Sequence, residues 1–435
     1  MRAHPLQDGR VKHHADACGP APRWIWIGYL DPAADPHRAA LLAGLAAALG
    51  ARGLALDARR LNRVGPDAAG PAPVTRLPGA GRHPADAWFR LRRGGGRVDA
   101  ADAAAFAATR RLSPRAARRR AAAVAAALHD ALDEGPAAGL LLWNQFADVS
   151  RVAAGVARRR GLPVRFVHEG VLPGSVAIEE GGQMADSPLA HAAADPPPTT
   201  DAGLAATRAY LAAAAAGRVS RKPPPREGAA GAVERALAGV RGPVLFYAGQ
   251  NDEAAGLVPR SHPRAASHSP HFTGTLDALV ALQGAARSGG FTVLFKPHPL
   301  WRERHGDAGV RRALDPAAAR FAPDADVFDA IDRCDAAATI VSQAAYLARM
   351  RGKPALLMGR MPMTGWGCCV ELGSRAALPD AAAEALAGGP AEAAFLRHAT
   401  AARERFLLPH DPAVAGHFPR TLADAAEELA AASCR

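Results

Sequence analysis

The 435-residue chain has few aromatic residues, few cysteines and an excess of base over acid, and each shortage narrows what it can be. Aromatics make up 5% of the sequence and are not interleaved with basic residues. With no zinc finger and no RNA-recognition motif either, nucleic acid is the weakest partner class, and none is expected. The five cysteines, Cys18, Cys334, Cys368, Cys369 and Cys434, are odd in number and scattered. They form neither a disulfide framework nor a paired metal-ligand spacing, and Cys368-Cys369 reads as packing. Residues 1–22 are polar and lack an apolar h-region, so no signal peptide is expected. No apolar run reaches spanning length without charges or prolines. The expectation is a cytoplasmic protein, with peripheral attachment to the inner face of the membrane left open.

The length favours two domains over one core. Apolar content of 49% and charged content of 22% are ordinary for a globular protein, although alanine inflates the first figure. The formal net charge is +12. Arginine clusters at Arg115, Arg118, Arg119 and Arg120, and again at Arg158, Arg159 and Arg160. Such an excess suits an anionic membrane surface or an acidic glycan, set against the plainer reading of solvated helix faces.

Strand and helix patterns alternate along most of the chain. Short apolar runs at Trp24–Gly28, Leu54–Leu56, Gly139–Trp143 and Val164–Val167 read as strands, with helices at Ala39–Gly50, Ala101–Leu132 and Phe146–Arg160 between them. Proline clusters at Asp195–Pro198 and Lys222–Pro225 bracket a helical stretch, Ala202–Ala216, and read as a linker. A second alternation follows: strands at Val244–Tyr247, Phe291–Phe295, Ala325–Phe328, Ala336–Val341 and Lys353–Met358, with helices at Thr275–Arg287 and Ser342–Arg351. This predicts an α/β protein of two Rossmann-like, doubly wound lobes with a cleft between them. The boundaries are a disordered terminus at 1–22, a first lobe at 23–195, a linker with a helix at 196–240, a second lobe at 241–380 and terminal helices at 381–435.

Ligands of open α/β sheets bind outside the carboxyl ends of the strands, so polar groups there are the candidates. Lys296-Pro297-His298-Pro299 follows an apolar strand, and its prolines stop the strand and stiffen the backbone. A His beside a Lys in that setting suits a nucleotide phosphate; the plainer alternative is a strand-ending turn. Ser342-Gln343 opens a helix, where a hydroxyl can cap the helix and still contact an anion. Gln250, Asn251 and Asp252 end a third strand and suit a base, ribose or sugar, or an Asx turn. In the first lobe, His168-Glu169-Gly170 ends a strand, with Gly170 permitting a sharp turn. Glu169 aimed at the cleft suits a general base. Glu179 and Glu180, expected in the loop beyond, are the reserve carboxylates, or else part of a polar hairpin turn.

These residues resemble the capsule polysaccharide biosynthesis glycosyltransferases, a family that includes the β-Kdo transferases. They resemble more distantly the bacterial sialyl- and polysialyltransferases, which share an acid-acid-Gly, a His-Pro and a Ser motif. The matching positions are His168-Glu169-Gly170, His298-Pro299 and Ser342, with Val341–Pro354 and Leu356–Gly359 similar to the helix and strand before the donor site. His168 stands where the family has an acid, and Gln343 where it has a second hydroxyl. The resemblance spans roughly residues 139–370. It implies a GT-B fold, a nucleotide-sugar donor in the second lobe (a cytidine-monophosphate sugar such as Kdo), a glycan or glycolipid acceptor, no cofactor and no obligate metal. On that pattern Glu169 and His298 are catalytic, and Lys296, His298, Pro299, Ser342, Gln343, Gln250, Asn251 and Asp252 bind the donor. Two other readings share these motifs: a transferase of glycerol or ribitol phosphate from a cytidine-diphosphate donor, and a non-catalytic glycan-assembly component.

Overall fold

The computed structural model describes residues 21–28, 36–59, 107, 112–217, 231–260 and 263–434. The first sheet uses β1 (Arg23–Ile27), β2 (Ala55–Arg59), β3 (Ala137–Trp143), β4 (Val164–Glu169) and β5 (Ser175–Glu179). The second uses β6 (Val244–Ala248), β7 (Thr292–Lys296), β8 (Ala319–Phe321), β9 (Ala336–Thr339), β10 (Ala355–Leu357) and β11 (Val370–Glu371). A last strand, β12 (Leu407–Pro409), returns to the first sheet. The strand orders are β12-β5-β4-β3-β1-β2 and β11-β10-β9-β6-β7-β8. The second sheet is parallel throughout. In the first, β2, β1, β3 and β4 are parallel, while β5 runs antiparallel to both β4 and β12.

Side-chain alternation explains why these short runs are strands. Along β1, Ile25 and Ile27 enter one apolar cluster while Trp24 and Trp26 enter another on the opposite face. Along β7, Val293 and Phe295 face one way and Leu294 the other. Both faces are covered, as a parallel sheet requires.

Four expectations need correction. The linker helix is part of the core: Asp201–Ala216 buries Thr207 and Tyr210 completely. Tyr210 donates to Pro173 O at 2.6 Å, and Thr207 Oγ1 accepts from Thr400 and Arg403. Pro196–Pro198 lie in irregular chain before it, and residues 218–230, with the second proline cluster, lie outside the described residues, as do 1–20. Second, Ala325–Phe328 is not a strand. Asp326 caps the helix Val327–Arg333 by accepting from Phe328 N and Asp329 N, and Ala319–Phe321 supplies the strand instead. Third, Ser175–Glu179 is not loop but the second arm of a β4–β5 hairpin. Fourth, the terminal region is not only helices. β12 adds to the first sheet, and the helix Leu422–Ser433 packs beside Pro36–Gly50 over the Trp24 and Trp26 face. Trp24 Nε1 donates to Ser433 Oγ at 3.2 Å.

The lobes share an apolar cluster that joins Leu172, Ala177 and Leu189 of the first to Met361, Met363 and Phe395 beyond. Among the described residues, no helix is long and apolar enough to cross a membrane.

Candidate functional site

In each sheet the chain reverses its direction of travel beside the first strand of the lobe. In the second lobe that crevice lies at the carboxyl ends of β6 and β9, the favoured ligand position in open α/β sheets. Three candidate loops meet there, following β6, β7 and β9.

His298 is extended and caps the helix Pro299–His305, its Nδ1 accepting from Leu300 N–H at 3.2 Å. Any ligand contact from the ring therefore falls to Nε2. His298 is half-buried, Pro299 is exposed, and Leu300 beyond it is an exposed apolar residue. Lys296 is placed differently from the expectation. It is buried, burial lowers its pKa below the ordinary lysine value, and the acids acting on its charge are Asp326 and Asp324. It belongs to the layer under the turn, not to the ligand face.

Ser342 Oγ accepts from Ala344 N–H at 3.3 Å, at the start of the helix Ala344–Met350. Ser342 and His298 stand on the same sheet edge, but not on adjacent strands: β6 lies between β9 and β7, which separates the strand ends by about 10 Å. The β6 loop fills that interval. Gly249 N–H donates to Lys296 O at 2.9 Å, and a Cβ on Gly249 would lie 3.2 Å from Pro297 Cα. The two loops touch because that residue is glycine.

Gln250 and Asp252 do not face the crevice as donor contacts would. Both are buried, and Gln250 Nε2 donates to Asp252 and to Thr275 Oγ1. Asp252 also accepts from Thr275 N, Thr275 Oγ1 and, at 3.0 Å, Trp301 Nε1. Burial raises the Asp252 pKa above its ordinary value even against these donors. The network ties the β6 loop to two helices: Asp252 sits on the amino end of Thr275–Gly289 and reaches Trp301 in Pro299–His305. One atom is left over: Gln250 Oε1 is buried with no hydrogen-bond partner. Asn251 forms the Asx turn, accepting from Ala254 N–H at 3.3 Å.

In the first lobe Glu169 ends β4. Arg38 Nη2 approaches its Oε1 at 3.8 Å, and His410 Nδ1 approaches its Oε2 at 3.8 Å. The Arg38 guanidinium lies over the Trp143 ring, 3.7 Å from the centroid. His410 follows β12, so the returning C-terminal segment completes the surroundings of Glu169; neither Arg38 nor His410 was evident as a partner from the linear chain. His168, the departure from the family pattern, turns inward. Its Nε2 lies 2.8 Å from Glu179 Oε2 and its Nδ1 2.8 Å from Glu169 O. Glu179 is buried and also accepts from Ser187 at 2.7 Å. Glu180 pairs with Arg165 at the amino end of β4, the edge away from Glu169. Both reserve acids are thus engaged within the first lobe, Glu179 by His168 and Ser187 and Glu180 by Arg165. Gly170 is also needed for a different reason than expected. Its φ is ordinary, but a Cβ there would lie 1.9 Å from Ser175 Oγ.

The two lobes meet at this level. Gln343 Nε2 donates to Gly170 O at 3.0 Å and to Val171 O at 3.2 Å. This brings the Ser342 turn beside the Glu169 turn. A second seam joins Asp186 of the first lobe to Arg264 and His268 of the second, with Gln145 Nε2 donating from the first. Burial works against the Asp186 charge, yet the hydrogen bonds from His268, Arg264 and Gln145 outweigh it and hold the pKa at about 2. Phe146 packs edge-on against His268, with ring centroids 5.0 Å apart.

Two parallel-stranded lobes with their carboxyl edges at a shared cleft, and a C-terminal segment that crosses back to the first, define a GT-B-type α/β protein. No family model and no curated protein matches the sequence. Among solved structures the chain is similar to KpsC, the beta Kdo 2,4 transferase of Thermosulfurimonas dismutans, at 16% identity and a TM-score of 0.45, covering 67% of this chain and 87% of that one. It is also similar to the UDP-GlcNAc 2-epimerase of Methanocaldococcus jannaschii, at 9% identity and a TM-score of 0.39, with 84% and 92% covered. A third similar structure is the glycosyltransferase SnogD of Streptomyces nogalater, at 15% identity and a TM-score of 0.32, with 95% and 100% covered.

Proposed function

We propose that this protein is a nucleotide-sugar-dependent glycosyltransferase of surface or capsular polysaccharide assembly. Its second lobe holds the donor phosphate through His298 and the Ser342 turn, and Glu169 activates the acceptor hydroxyl as general base. The donor on this reading is a cytidine-monophosphate sugar, Kdo or a related acidic sugar, and the acceptor a glycan or glycolipid. The observation that supports it most is the Gln343 contact with Gly170 O and Val171 O. That contact joins the loop that carries Ser342 to the turn that follows Glu169 in the other lobe, which suits direct transfer across a cleft. The basic Arg115–Arg120 cluster, on the acceptor-side lobe, supports an acidic acceptor or peripheral attachment to an anionic membrane.

Calorimetry with cytidine, uridine and guanosine nucleotides tests the donor half. Binding of CMP in the micromolar to millimolar range is expected, and loss of it in His298→Ala. A chain that binds none of these nucleotides is not a transferase of this kind. Preference for CDP-glycerol over CMP would instead favour transfer of glycerol phosphate.

A further inference from the structure

Beside the phosphate crevice lies a cavity of about 500 Å³, within the range of small-molecule sites. Its floor comes from the loops after β10 and β11, namely Gly359 to Met361, Thr364 and Glu371 to Gly373, and His271 adds to it. Its other wall is from the first lobe: Ala185, Ala190 and His191. That wall is anchored on both sides, because Asp186 is held by Arg264 and His268, and Leu189 O accepts from Trp366 Nε1 at 3.1 Å. The cavity therefore exists only with the lobes together, and it is shaped in advance of any ligand.

The floor is one strand removed from Ser342. A Cβ on Gly359 would lie 2.7 Å from Ile340 Cγ2 and 2.5 Å from His268 O, so the two loops are in contact. The loop is stiff: Arg360 N–H donates to His268 O at 2.8 Å, and Met361 N–H to Thr364 Oγ1 at 3.0 Å. His271 Nε2–H is committed to Leu372 O at 3.0 Å. Most arginines around the cleft are matched by acids, as Arg264, Arg304 and Arg375 are. Arg360 is the exception among the described residues lining the cavity: its exposed guanidinium makes no hydrogen bond or close ion pair with another described residue, and its charge acts on Glu371. The one lining carboxylate, Glu371, is turned to Gly365 N–H at 2.7 Å. Burial raises its pKa above the ordinary value, against the opposing pull of Gly365 and Arg360.

We propose that this cavity receives the glycosyl group of the donor and that Arg360 recognises a carboxylate on it, so that the chain selects an acidic sugar over a neutral one. A guanidinium presents paired N–H donors that match a carboxylate. The proposal rests on the donor reading above and adds what selects the sugar. Its test is titration of CMP and of CMP-Kdo into the full-length protein and its Arg360→Gln and Arg360→Lys variants. Because Arg360 is exposed, both variants keep the fold, which a melting curve checks. Wild-type protein binds CMP-Kdo more tightly than CMP. Arg360→Gln weakens CMP-Kdo about tenfold or more and leaves CMP unchanged, and Arg360→Lys recovers part of the loss. If Arg360→Gln binds CMP-Kdo as well as wild type, or loses CMP and CMP-Kdo equally, the sugar assignment is overturned while the donor reading stands. If wild type binds neither compound, the donor reading itself falls and takes this assignment with it.

Discussion

His298 and Glu169 are held by different devices, and the difference shapes how each is tested. His298 is both a helix cap and the proposed phosphate ligand, so His298→Ala removes two functions. His298→Asn keeps a capping acceptor. It should melt within about 1 kcal/mol of wild type while nucleotide affinity falls about tenfold or more. Equal affinity in calorimetry would reduce His298 to a cap. Glu169 carries no capping duty, and Glu169→Gln should lower the transfer rate by about 10²–10⁴-fold with nucleotide binding intact. Full activity in that variant would remove the base from this residue, and Glu179 could not take over because it is locked to His168 and Ser187. His398 makes a separate prediction about stability. It is fully buried, its Nε2 lies 2.8 Å from the Tyr346 hydroxyl, and burial lowers its pKa to about 3. Above about pH 6.5 both folded and unfolded states hold it neutral. Below that, the unfolded chain takes up a proton that the folded chain resists, so stability falls as pH drops toward 3, by up to about 1.4 kcal/mol per unit. His398→Gln should flatten the decline in melting temperature between pH 6.5 and 4.5; an unchanged slope would show that the ring titrates freely.

At the scale of elements, the β4–β5 hairpin and the C-terminal return do the positioning. The hairpin turns tightly because Gly170 N–H donates to Ser175 O at 2.8 Å and no side chain fits between Gly170 and Ser175. Gly170→Ala should cost roughly 1–3 kcal/mol by overpacking and, by moving Gly170 O, weaken the Gln343 contact between lobes. Denaturant unfolding measures the first effect, and a variant as stable as wild type would mean the turn can relax. The return of the chain after β11 brings β12 and His410 to Glu169, and the helix Leu422–Ser433 to the two buried tryptophans. Leu429, at 1% exposure, is the central contact of that helix, and Leu429→Ala should cost about 2–5 kcal/mol.

At the scale of the molecule, the charge is distributed differently from a single basic face. Pro114–Asp133 and Asp148–Arg159 both run antiparallel to the strands they flank, with Arg160 pairing to Asp133 where both helices end. The Arg115–Arg120 cluster is therefore at the start of a 20-residue helix, on the cleft side, roughly 20–27 Å from the Arg158–Arg160 cluster. That distance exceeds the screening length of about 8 Å at physiological salt, so the clusters act independently. Binding to anionic liposomes should weaken with salt and be lost when Arg118 and Arg119 are both changed to Glu, but survive the same change at Arg158 and Arg159. Equal losses, or no dependence on salt, would exclude a membrane face at the cleft.

The periodicity of the chain determined the two α/β lobes, most of their strands and where β4, β7 and β9 end, because burial of a parallel strand and the turn after it are local properties. Capping was also legible where a single residue decides it, as at Ser342, whose hydroxyl accepts from Ala344 N–H. Contacts between residues distant in sequence were not. Asp326 overrode a strand-like run with a cap, and the β4–β5 hairpin tied Glu179 to His168 and Glu180 to Arg165. Asp252 looked like a ligand contact until Thr275 and Trp301, which lie 23 and 49 residues later, were seen to saturate it. The cavity and the place of Arg360 on its lining arise only when the loops of one lobe meet the wall of the other, so tertiary structure alone could reveal them.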